Sequence, residues 1–298
     1  MKALIKRLWI NRKYCYNLAI KWTGAIFTLW SVIALFVPFD EIIRKDTQWY
    51  IKLLIALIIV TMVFVVTYII GIFIALNKNV VELIEVGDNH HVYVQYGNVF
   101  SHTILGKSTL SNKRNILISA NRCFDTIVDN DLISNNSLHG TAINNLVSNS
   151  IAIDKIDKEI QKQLKNENYT ILQRCDKPRG NLKRYPEGVV VEIKESNEIT
   201  YFFLGLASFD KQLHPYITDV EYVNAMIKAL KYCFARNQGY PVIIPLIGGG
   251  RSETKKEEKD ILEFLVKLIQ INKQSINCDI HIVIRETAKD TISITNLK

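Results

Sequence analysis

Two segments of the sequence carry residue types that are suited to holding an anion. Residues 118–143 begin as an apolar run and continue as a long polar stretch, ISANRCFDTIVDNDLISNNSLHGTAI. Residues 241–252, PVIIPLIGGGRS, end an apolar run in three glycines, an arginine and a serine. Glycines let a backbone approach a ligand closely, and such loops often cradle phosphates. A lone glycine cluster favours a tight turn into a helix, but two such segments at strand ends together favour a bound diphosphate.

The elements around these segments alternate between strand and helix patterns. Strand-like alternation covers residues 91–100, 114–121, 199–208, 241–246 and 279–284. Helical periodicity covers residues 143–164, 216–236 and 255–272. We therefore predict an α/β domain whose central sheet is covered by helices on both faces. Ligands of such sheets gather at the carboxyl ends of strands, and both anion-type segments fall there.

Two long uncharged stretches lie at the front of the chain, at residues 22–39 and 53–76. Each is long enough to cross a bilayer as a helix, and a buried helix of a soluble domain is the alternative for the shorter one. The composition becomes mixed after residue 77, without a repeat or a low-complexity linker. We predict an all-α, two-helix transmembrane hairpin in residues 1–79 and one domain in residues 80–298.

The charge distribution predicts the orientation of the hairpin. Six basic residues and no acidic ones precede the first stretch: Lys2, Lys6, Arg7, Arg12, Lys13 and Lys21. Positive residues flank spans on the cytoplasmic side, so the N-terminus and the domain are expected on the cytoplasmic face of the inner (plasma) membrane. The same six residues account for most of the net charge of +8. The remaining chain is therefore not expected to bind nucleic acid.

The cysteines and histidines give no metal or disulfide pattern. The five cysteines are odd in number, dispersed, and free of any Cys-x-x-Cys pair, which agrees with a reducing compartment. The six histidines lack the spacing of metal ligands. We expect neither a metal site nor a bound cofactor.

Three landmarks resemble the macro domain, a family of three-layer α/β/α modules with a mixed central sheet that bind ADP-ribose and related nucleotides. VQYGNVF (residues 94–100) resembles the first strand and its turn, ISAN (118–121) resembles the family's strand ending in Ala-Asn, and PLIGGGRS (245–252) resembles its second phosphate loop. They occur in the family's order. The resemblance covers nearly all of the chain after the hairpin.

The resemblance implies a set of ligand-binding residues. Asn121 would contact the distal ribose, residues 137–143 would form the first phosphate loop, and residues 247–251 the second. The expected ligand-binding residues are Asn98, Ala120, Asn121, Asp125, Thr126, Ser137, Leu138, His139, Gly140, Thr141, Ile247, Gly248, Gly249, Gly250 and Arg251. No catalytic residue is assigned.

Several of these positions keep two interpretations. Asn98 stands where many relatives have an aspartate that binds the adenine amino group, which implies weaker or altered base selection. Asp125 and Thr126 either face the ligand or form an Asx turn or cap. His139 has no evident carboxylate partner in the sequence, which favours packing or a ligand hydrogen bond over catalysis. Arg251 either adds charge to the phosphate loop or lies on the surface.

The joint presence of a membrane hairpin and this module resembles the membrane-anchored macro effectors of type II Thoeris antiphage systems. The resemblance implies a receptor for an ADP-ribose-derived signal such as histidine-ADP-ribose, made by a partner enzyme with a TIR domain. Binding would drive homo-oligomer assembly and disruption of the lipid bilayer. The alternative is a membrane-anchored ADP-ribosyl hydrolase, for which Asp125, Asp129, Asp131 and His139 are the candidate general bases. The sequence favours the receptor over the enzyme.

Overall fold

The computed structural model describes residues 2–36, 47–86, 89–106, 112–248 and 256–297. The chain divides into two compact units. One unit contains the residues up to Val81 together with those from Thr287 onward, and the other runs from Glu82 to Glu286. The predicted domain of residues 80–298 extends past the second unit, which ends at Glu286. The residues from Thr287 onward group with the N-terminal helices instead.

The first unit contains two long helices, α1 (Lys2–Ile33) and α2 (Trp49–Asn77). Helix α1 begins well before the first predicted span, because residues 2–23 contain no proline or glycine to end it. The last residues of that predicted span, 37–39, lie outside the described residues. Helix α2 contains the whole second predicted span, and of the described helices it alone is long and apolar enough to cross a membrane. Its most apolar window has a mean hydropathy of 3.0.

The two helices pack through small side chains. The buried residues at the contact are Cys15 and Ala19 on α1 and Thr67, Gly71 and Ala75 on α2. These recur every four residues, which places them on one face of each helix. Large apolar side chains point outward instead, and Leu29 and Phe73 are 66% and 63% exposed. This arrangement is typical of helices that pack inside a membrane, where small residues let the backbones approach.

The pairing offsets the two uncharged stretches against each other. The Thr23 and Thr67 hydroxyl oxygens lie 3.2 Å apart, close to the start of the uncharged part of α1. A Cβ atom at Gly71 would lie 3.4 Å from the Cα of Cys15, so the last apolar turns of α2 run beside the basic part of α1. The uncharged stretches therefore overlap over only part of their lengths.

The C-terminal residues of the first unit bind the N-terminal half of α1. The Arg7 guanidinium forms an ion pair with Asp290 at 2.5 Å. The buried Asn11 accepts hydrogen bonds through Oδ1 from the hydroxyls of Ser293 at 2.7 Å and Thr295 at 2.9 Å. Only the fold reveals this contact, because its partners lie at opposite ends of the sequence.

The second unit is built on one large sheet and a short hairpin. Its strands are β1 (Val80–Val86), β2 (His90–Tyr96), β3 (Arg114–Asn121), β4 (Thr170–Ile171), β5 (Lys183–Arg184), β6 (Val190–Lys194), β7 (Ile199–Phe209), β8 (Pro215–Tyr216), β9 (Val242–Pro245) and β10 (Ile280–Ile284). Among the described residues, the main sheet has the order β1-β2-β10-β9-β3-β7-β6, with β8 paired to β7. Strands β2, β10, β9, β3 and β7 are parallel, whereas β6 and β8 run antiparallel to β7. The five predicted strands are present, and β1, β6 and the short strands were not predicted.

Within the described part of the second unit, four α-helices cover this sheet: α3 (Leu138–Ser148), α4 (Ile153–Gln163), α5 (Asp219–Arg236) and α6 (Glu258–Ile271). The single helix predicted over residues 143–164 is wrong, because Ser150 has a φ of 64° that interrupts helical geometry. Helix α5 begins later than predicted, at a capping box formed by Thr218 and Glu221.

The core lies on both faces of the sheet. On one face, Ile116, Ile118 and Phe203 pack against Leu146 of α3 and Ile156 of α4. On the other face, the Phe202 ring contacts the Tyr232 ring of α5, with centroids 5.5 Å apart. Neighbouring residues of a strand thus point to opposite layers, and the result is the predicted three-layer α/β/α fold with a mixed sheet.

Candidate functional site

A cavity of about 1190 Å³ lies at the carboxyl ends of the five parallel strands. Because parallel strands end at the same edge of a sheet, residues distant in sequence meet there. Each strand supplies part of the lining. Ala120 and Asn121 end β3, Leu206, Ala207 and Phe209 lie at the end of β7, and Val283 lies near the end of β10. Residues just beyond the strands complete this side: Gly97 and Asn98 after β2, Ile247 and Gly248 after β9, and Arg285 after β10. The loop before α3 closes another side through Asn130–Ser134 and Asn136–His139.

Asn121 provides an unpaired hydrogen-bond donor in this cavity. Its side chain is 7% exposed, and its Oδ1 accepts hydrogen bonds from the backbone amides of Cys123 at 3.0 Å and Asp125 at 3.4 Å. Its Nδ2 has no partner among the described residues. The pairing of β3 with β7 shifts register between Ala120 and Asn121, which re-aims the side chain at the end of the strand. A buried amide without a partner is costly, so the Nδ2 group is suited to a ligand acceptor.

The amino terminus of α3 forms a second wall of the cavity. The Ser137 hydroxyl caps the helix by accepting a hydrogen bond from the Gly140 amide at 3.0 Å. The amides of Leu138 and His139 form no hydrogen bond within the described part of the chain. Free amides at a helix amino terminus favour an anion, because the partial charges of the peptide dipoles are positive there. Residues 137–139, the start of the predicted first phosphate loop, all line the cavity.

Gly140 supports this wall without lining the cavity. A Cβ atom on Gly140 would overlap the carbonyl oxygen of Ser134, so the helix can approach the preceding loop only with glycine here. Thr141 also lies off the cavity, and its hydroxyl donates to the carbonyl of Ser137 at 2.9 Å. The expectation that these two residues contact the ligand is corrected, since their contacts shape the turn that holds Ser137.

His139 lines the cavity as a neutral imidazole. It is 9% exposed, packs against the Phe203 ring at 5.5 Å, and has no hydrogen-bond partner among the described residues. Burial lowers the pKa of His139 to about 4. Because no carboxylate faces the ring in the described structure, His139 can donate or accept a hydrogen bond but is not arranged as a general base.

The loop after β9 carries the predicted second phosphate loop as far as Gly248. The carbonyl of Ile247 accepts a hydrogen bond from the buried Tyr222 hydroxyl at 2.8 Å, which fixes the start of the loop. Gly248 has a φ of 103°, a conformation that side chains disfavour. The predicted residues Gly249, Gly250 and Arg251 lie outside the described residues.

Asn98 lies at the mouth of the cavity, as expected, but its oxygen is already engaged. The Oδ1 atom accepts a hydrogen bond from the Phe100 amide at 3.0 Å, which is the geometry of an Asx turn. A carbonyl oxygen has a second lone pair, so Asn98 keeps one neutral acceptor site for a ligand.

Asp125 and Thr126 do not line the cavity, and the expectation that they face the ligand is corrected. Asp125 forms a buried ion pair with Lys177, with the Nζ and Oδ2 atoms 2.6 Å apart. The Thr126 hydroxyl donates to the carboxylate of Asp157 at 2.7 Å. Both side chains turn away because the chain bends sharply at Phe124, whose φ is 49°.

The structure adds lining residues that the sequence pattern did not reveal. The turn between β7 and β8 contributes Gln212, Leu213 and His214, and Pro215 at the start of β8 adds to the same side. Glu258 begins α6 and pairs with Arg285 at 2.8 Å at another part of the rim. Of these added residues, Arg285 could have been found from the sequence, because it directly follows a predicted strand and ligands bind beyond the carboxyl ends of such strands.

The cavity therefore offers mostly uncharged donors around a groove large enough for a nucleotide. Of the described lining residues, Arg285 alone carries a guanidinium or ammonium group, and it is paired with Glu258. Free amides, the Asn121 amide and a neutral imidazole can bind a diphosphate and sugar hydroxyls without strong net charge.

These features define the second unit as a macro domain. The model of the family described as "Thoeris protein ThsA, Macro domain" matches residues 92–285, more than half of the chain. The chain therefore belongs to the ThsA macro-domain family, a family of Thoeris defence proteins.

A solved macrodomain from Oceanobacillus iheyensis with MES bound is similar at 10% sequence identity and a TM-score of 0.44. The similarity covers 71% of this chain and 90% of that one. Among curated proteins no match was found.

Proposed function

We propose that the macro domain binds an ADP-ribose-derived nucleotide and that the chain is a membrane-anchored receptor and effector in Thoeris defence. The observation that carries the proposal is the buried, unpaired Nδ2 of Asn121 in a cavity whose other wall is a helix amino terminus with free amides. The donors suit a ribose hydroxyl next to a diphosphate, and the cavity volume suits a dinucleotide-sized ligand. Histidine-ADP-ribose, made by a partner enzyme with a TIR domain, is the candidate signal.

The membrane part of the proposal rests on the packing of α1 and α2. Large apolar side chains of α2, such as Leu57 and Met62, are 62% and 63% exposed, which costs free energy in water and none in lipid. We propose that both helices span the inner membrane and that the macro domain is cytoplasmic. Ligand binding then promotes assembly into a homo-oligomer whose hairpins disrupt the bilayer. This requires that the ligand bind the assembled state more tightly than the resting state.

Hydrolysis of ADP-ribosylated protein is the alternative, and the candidate bases argue against it. Asp125 is buried in an ion pair away from the cavity, and Asp129 accepts the backbone amides of Asp131 and Leu132. Asp131 lines the cavity but pairs with Arg179 at 2.6 Å. A general base needs a free acceptor aimed at a water or a substrate proton, and the described residues hold none in that arrangement.

Calorimetry tests the binding step. The full-length protein in lipid nanodiscs should release heat with ADP-ribose, and Asn121→Ala should weaken the affinity about tenfold or more, since a buried donor is lost. Asn144→Ala, an exposed change on α3, is the matched control and should bind as the wild type does. Absence of binding to both ADP-ribose and histidine-ADP-ribose would refute the proposal.

Dye leakage from vesicles tests the effector step. Vesicles that contain the full-length protein should leak when histidine-ADP-ribose is added, and those with Asn121→Ala should stay closed at the same ligand concentration. Leakage that does not depend on ligand, or that Asn121→Ala leaves unchanged, would contradict receptor control of the hairpin. Release of free ADP-ribose from an ADP-ribosylated protein would instead support the hydrolase.

A further inference from the structure

Lys177 is a fully buried lysine in a segment that is otherwise at least partly exposed to solvent. Across residues 170–184, which contain the β4 and β5 hairpin, it is the only buried residue, and its side chain has no exposed surface. Its Nζ donates hydrogen bonds to Asp125 Oδ2 at 2.6 Å and to the Asn181 carbonyl at 2.8 Å. The Asp125 side chain is 1% exposed. An otherwise solvated segment is therefore attached to the domain through a buried ion pair.

The pair connects directly to the loop that ends β3. The second carboxylate oxygen of Asp125 accepts the Asn181 amide at 2.6 Å. The Asn181 side chain then donates to the carbonyls of Cys123 and Phe124, each at 3.2 Å. Residues 123–125 are thus held through their side chains and carbonyls by residues 177 and 181, far along the sequence.

The same loop holds Asn121 in place. Its Oδ1 accepts the amides of Cys123 and Asp125, so the orientation of the Asn121 side chain depends on where those amides point. Between them Phe124 adopts a φ of 49°, which is strained for a bulky residue. Such a turn persists only where its surroundings hold it, and the contacts of Asp125 and Asn181 do so.

An apolar side chain could have filled the position of Lys177 at lower desolvation cost, since burying two charges is expensive. The charged pair fixes the orientation of the Asp125 carboxylate, because the ammonium group binds one oxygen and leaves the other for the Asn181 amide. We infer that Asp125 and Lys177 are positioning residues, which hold the Asn121 amide toward the cavity and so set the affinity for the ligand. This inference rests on the proposed ADP-ribose binding.

A thermodynamic cycle in the full-length protein tests the inference, with ADP-ribose as the probe. Replacing one member alone strands a buried charge, so the useful variant neutralises both, Asp125→Asn with Lys177→Met. The neutral pair should fold and bind ADP-ribose about tenfold more weakly. Asn121→Ala should weaken the wild type about tenfold or more but the neutral-pair variant by less than about threefold. Wild-type affinity in the neutral pair, or an equal loss from Asn121→Ala in both backgrounds, overturns the inference.

A control separates positioning from general charge removal. Glu159→Gln with Lys162→Met neutralises the exposed pair on α4, whose charged atoms lie 3.6 Å apart, and should leave the affinity unchanged. If the neutral pair does not fold, Asn181→Ala replaces it, since this change removes the donors to Cys123 and Phe124 and keeps the ion pair. It should lower the affinity and shrink the effect of Asn121→Ala in the same way, and wild-type affinity overturns the inference.

Hydrogen exchange without ligand keeps the inference distinguishable from the proposed function. The amides of Cys123 and Asp125 should exchange at least tenfold faster in the neutral pair than in the wild type, because their acceptor on Asn121 is no longer fixed. Unchanged exchange overturns the positioning role whether or not ADP-ribose binds. Faster exchange in a protein that binds no ADP-ribose supports the positioning role and refutes the ligand.

Discussion

The helical hairpin and the macro domain bury opposite kinds of side chain. In the hairpin the buried residues of the contact include cysteine, alanine, threonine and glycine, while many large apolar side chains, such as Leu29, Leu57 and Phe73, are exposed. In the macro domain Tyr201, Phe202 and Phe203 are fully or almost fully buried. Water drives large apolar side chains inward, whereas lipid provides no such force between helices and leaves close backbone contact to hold them.

The comparison shows that an apolar sequence does not by itself predict a core. Helix α2 is among the most apolar parts of the chain, yet only 6% of its most apolar window is buried. The solvent around an apolar run decides which of its residues point inward. The two units should therefore respond differently to the same kind of substitution, and the predictions below use that difference.

The largest effect is expected at the close contact in the macro domain. Gly140→Ala places a methyl group against the Ser134 carbonyl, where neither backbone can move freely, and should destabilise the domain by about 3 kcal/mol. Thermal unfolding followed by far-ultraviolet circular dichroism measures the loss of stability. Val147→Ala, an exposed change on the same helix, should stay within about 0.5 kcal/mol of the wild type. A wild-type melting temperature for Gly140→Ala would contradict the close packing of this turn.

The second effect concerns pH and only the macro domain. Burial lowers the pKa of both His139 and His281 to about 4, below the ordinary value of 6.5. The unfolded chain then binds protons that the folded chain does not, so the stability from each neutral imidazole is present above pH 6.5 and is lost as pH falls toward 4. At pH 5 each histidine should cost about 2 kcal/mol.

Unfolding of the wild type and of His139→Gln between pH 7.5 and pH 5 isolates one histidine. The variant should lose less stability over this range than the wild type, by about 2 kcal/mol. Val147→Ala is the control, because this exposed change on α3 removes no titratable group and should keep the slope of the wild type. Parallel curves for His139→Gln and the wild type would show that the imidazole is not buried as described.

The third effect is expected at the close contact in the hairpin. Gly71→Leu cannot fit against Cys15 and should separate α1 from α2, at a cost of about 1–3 kcal/mol. The buried Cys15 thiol reports the opening by maleimide labelling in a Cys175→Ser background, since Cys175 is exposed. Gly24→Leu is the matched control, because no atom lies within 4 Å of a Cβ there. Equal labelling of Cys15 in both variants would count against the small-residue contact.

The smallest effect sharpens the proposed site. Asn98→Asp keeps an oxygen for the Phe100 amide and offers a charged second oxygen to an amino group of the base. ADP-ribose should bind about threefold to tenfold more tightly, while the analogue with hypoxanthine in place of adenine should not gain. Asn144→Asp, with the same change of charge on α3, should leave both affinities unaltered. A gain for both nucleotides would show that Asn98 does not contact the base.

The two segments that line much of the cavity could be located from the sequence because each follows a local pattern. An apolar β-branched run ending in polar residues marked β3 and Asn121, and a glycine cluster after another run marked the loop after β9. Ser137 and His139 were assigned through the resemblance to macro domains. The helix break at Ser150 was missed, because a left-handed residue leaves no reliable mark on an apolar periodicity.

The placement of Asp125 shows the limit of such reasoning. Its distance in sequence from Asn121 suggested a ligand contact, but the strained turn at Phe124 reverses the direction of the side chain. Its partner Lys177 comes from a segment with no other buried residue, so periodicity could not identify it. The turn of Gln212–Pro215 and the Arg285 pair with Glu258 likewise reach the cavity only through the fold.

The sequence by itself determined the membrane-type apolar stretches, the alternation of strands and helices, and the two segments at strand ends, because each depends on neighbouring residues along the chain. The tertiary structure decided which of those residues face the cavity, which are held in buried pairs, and that the C-terminal residues bind α1. The physical reason is that burial and hydrogen-bond partners depend on contacts between distant segments, which local patterns do not encode.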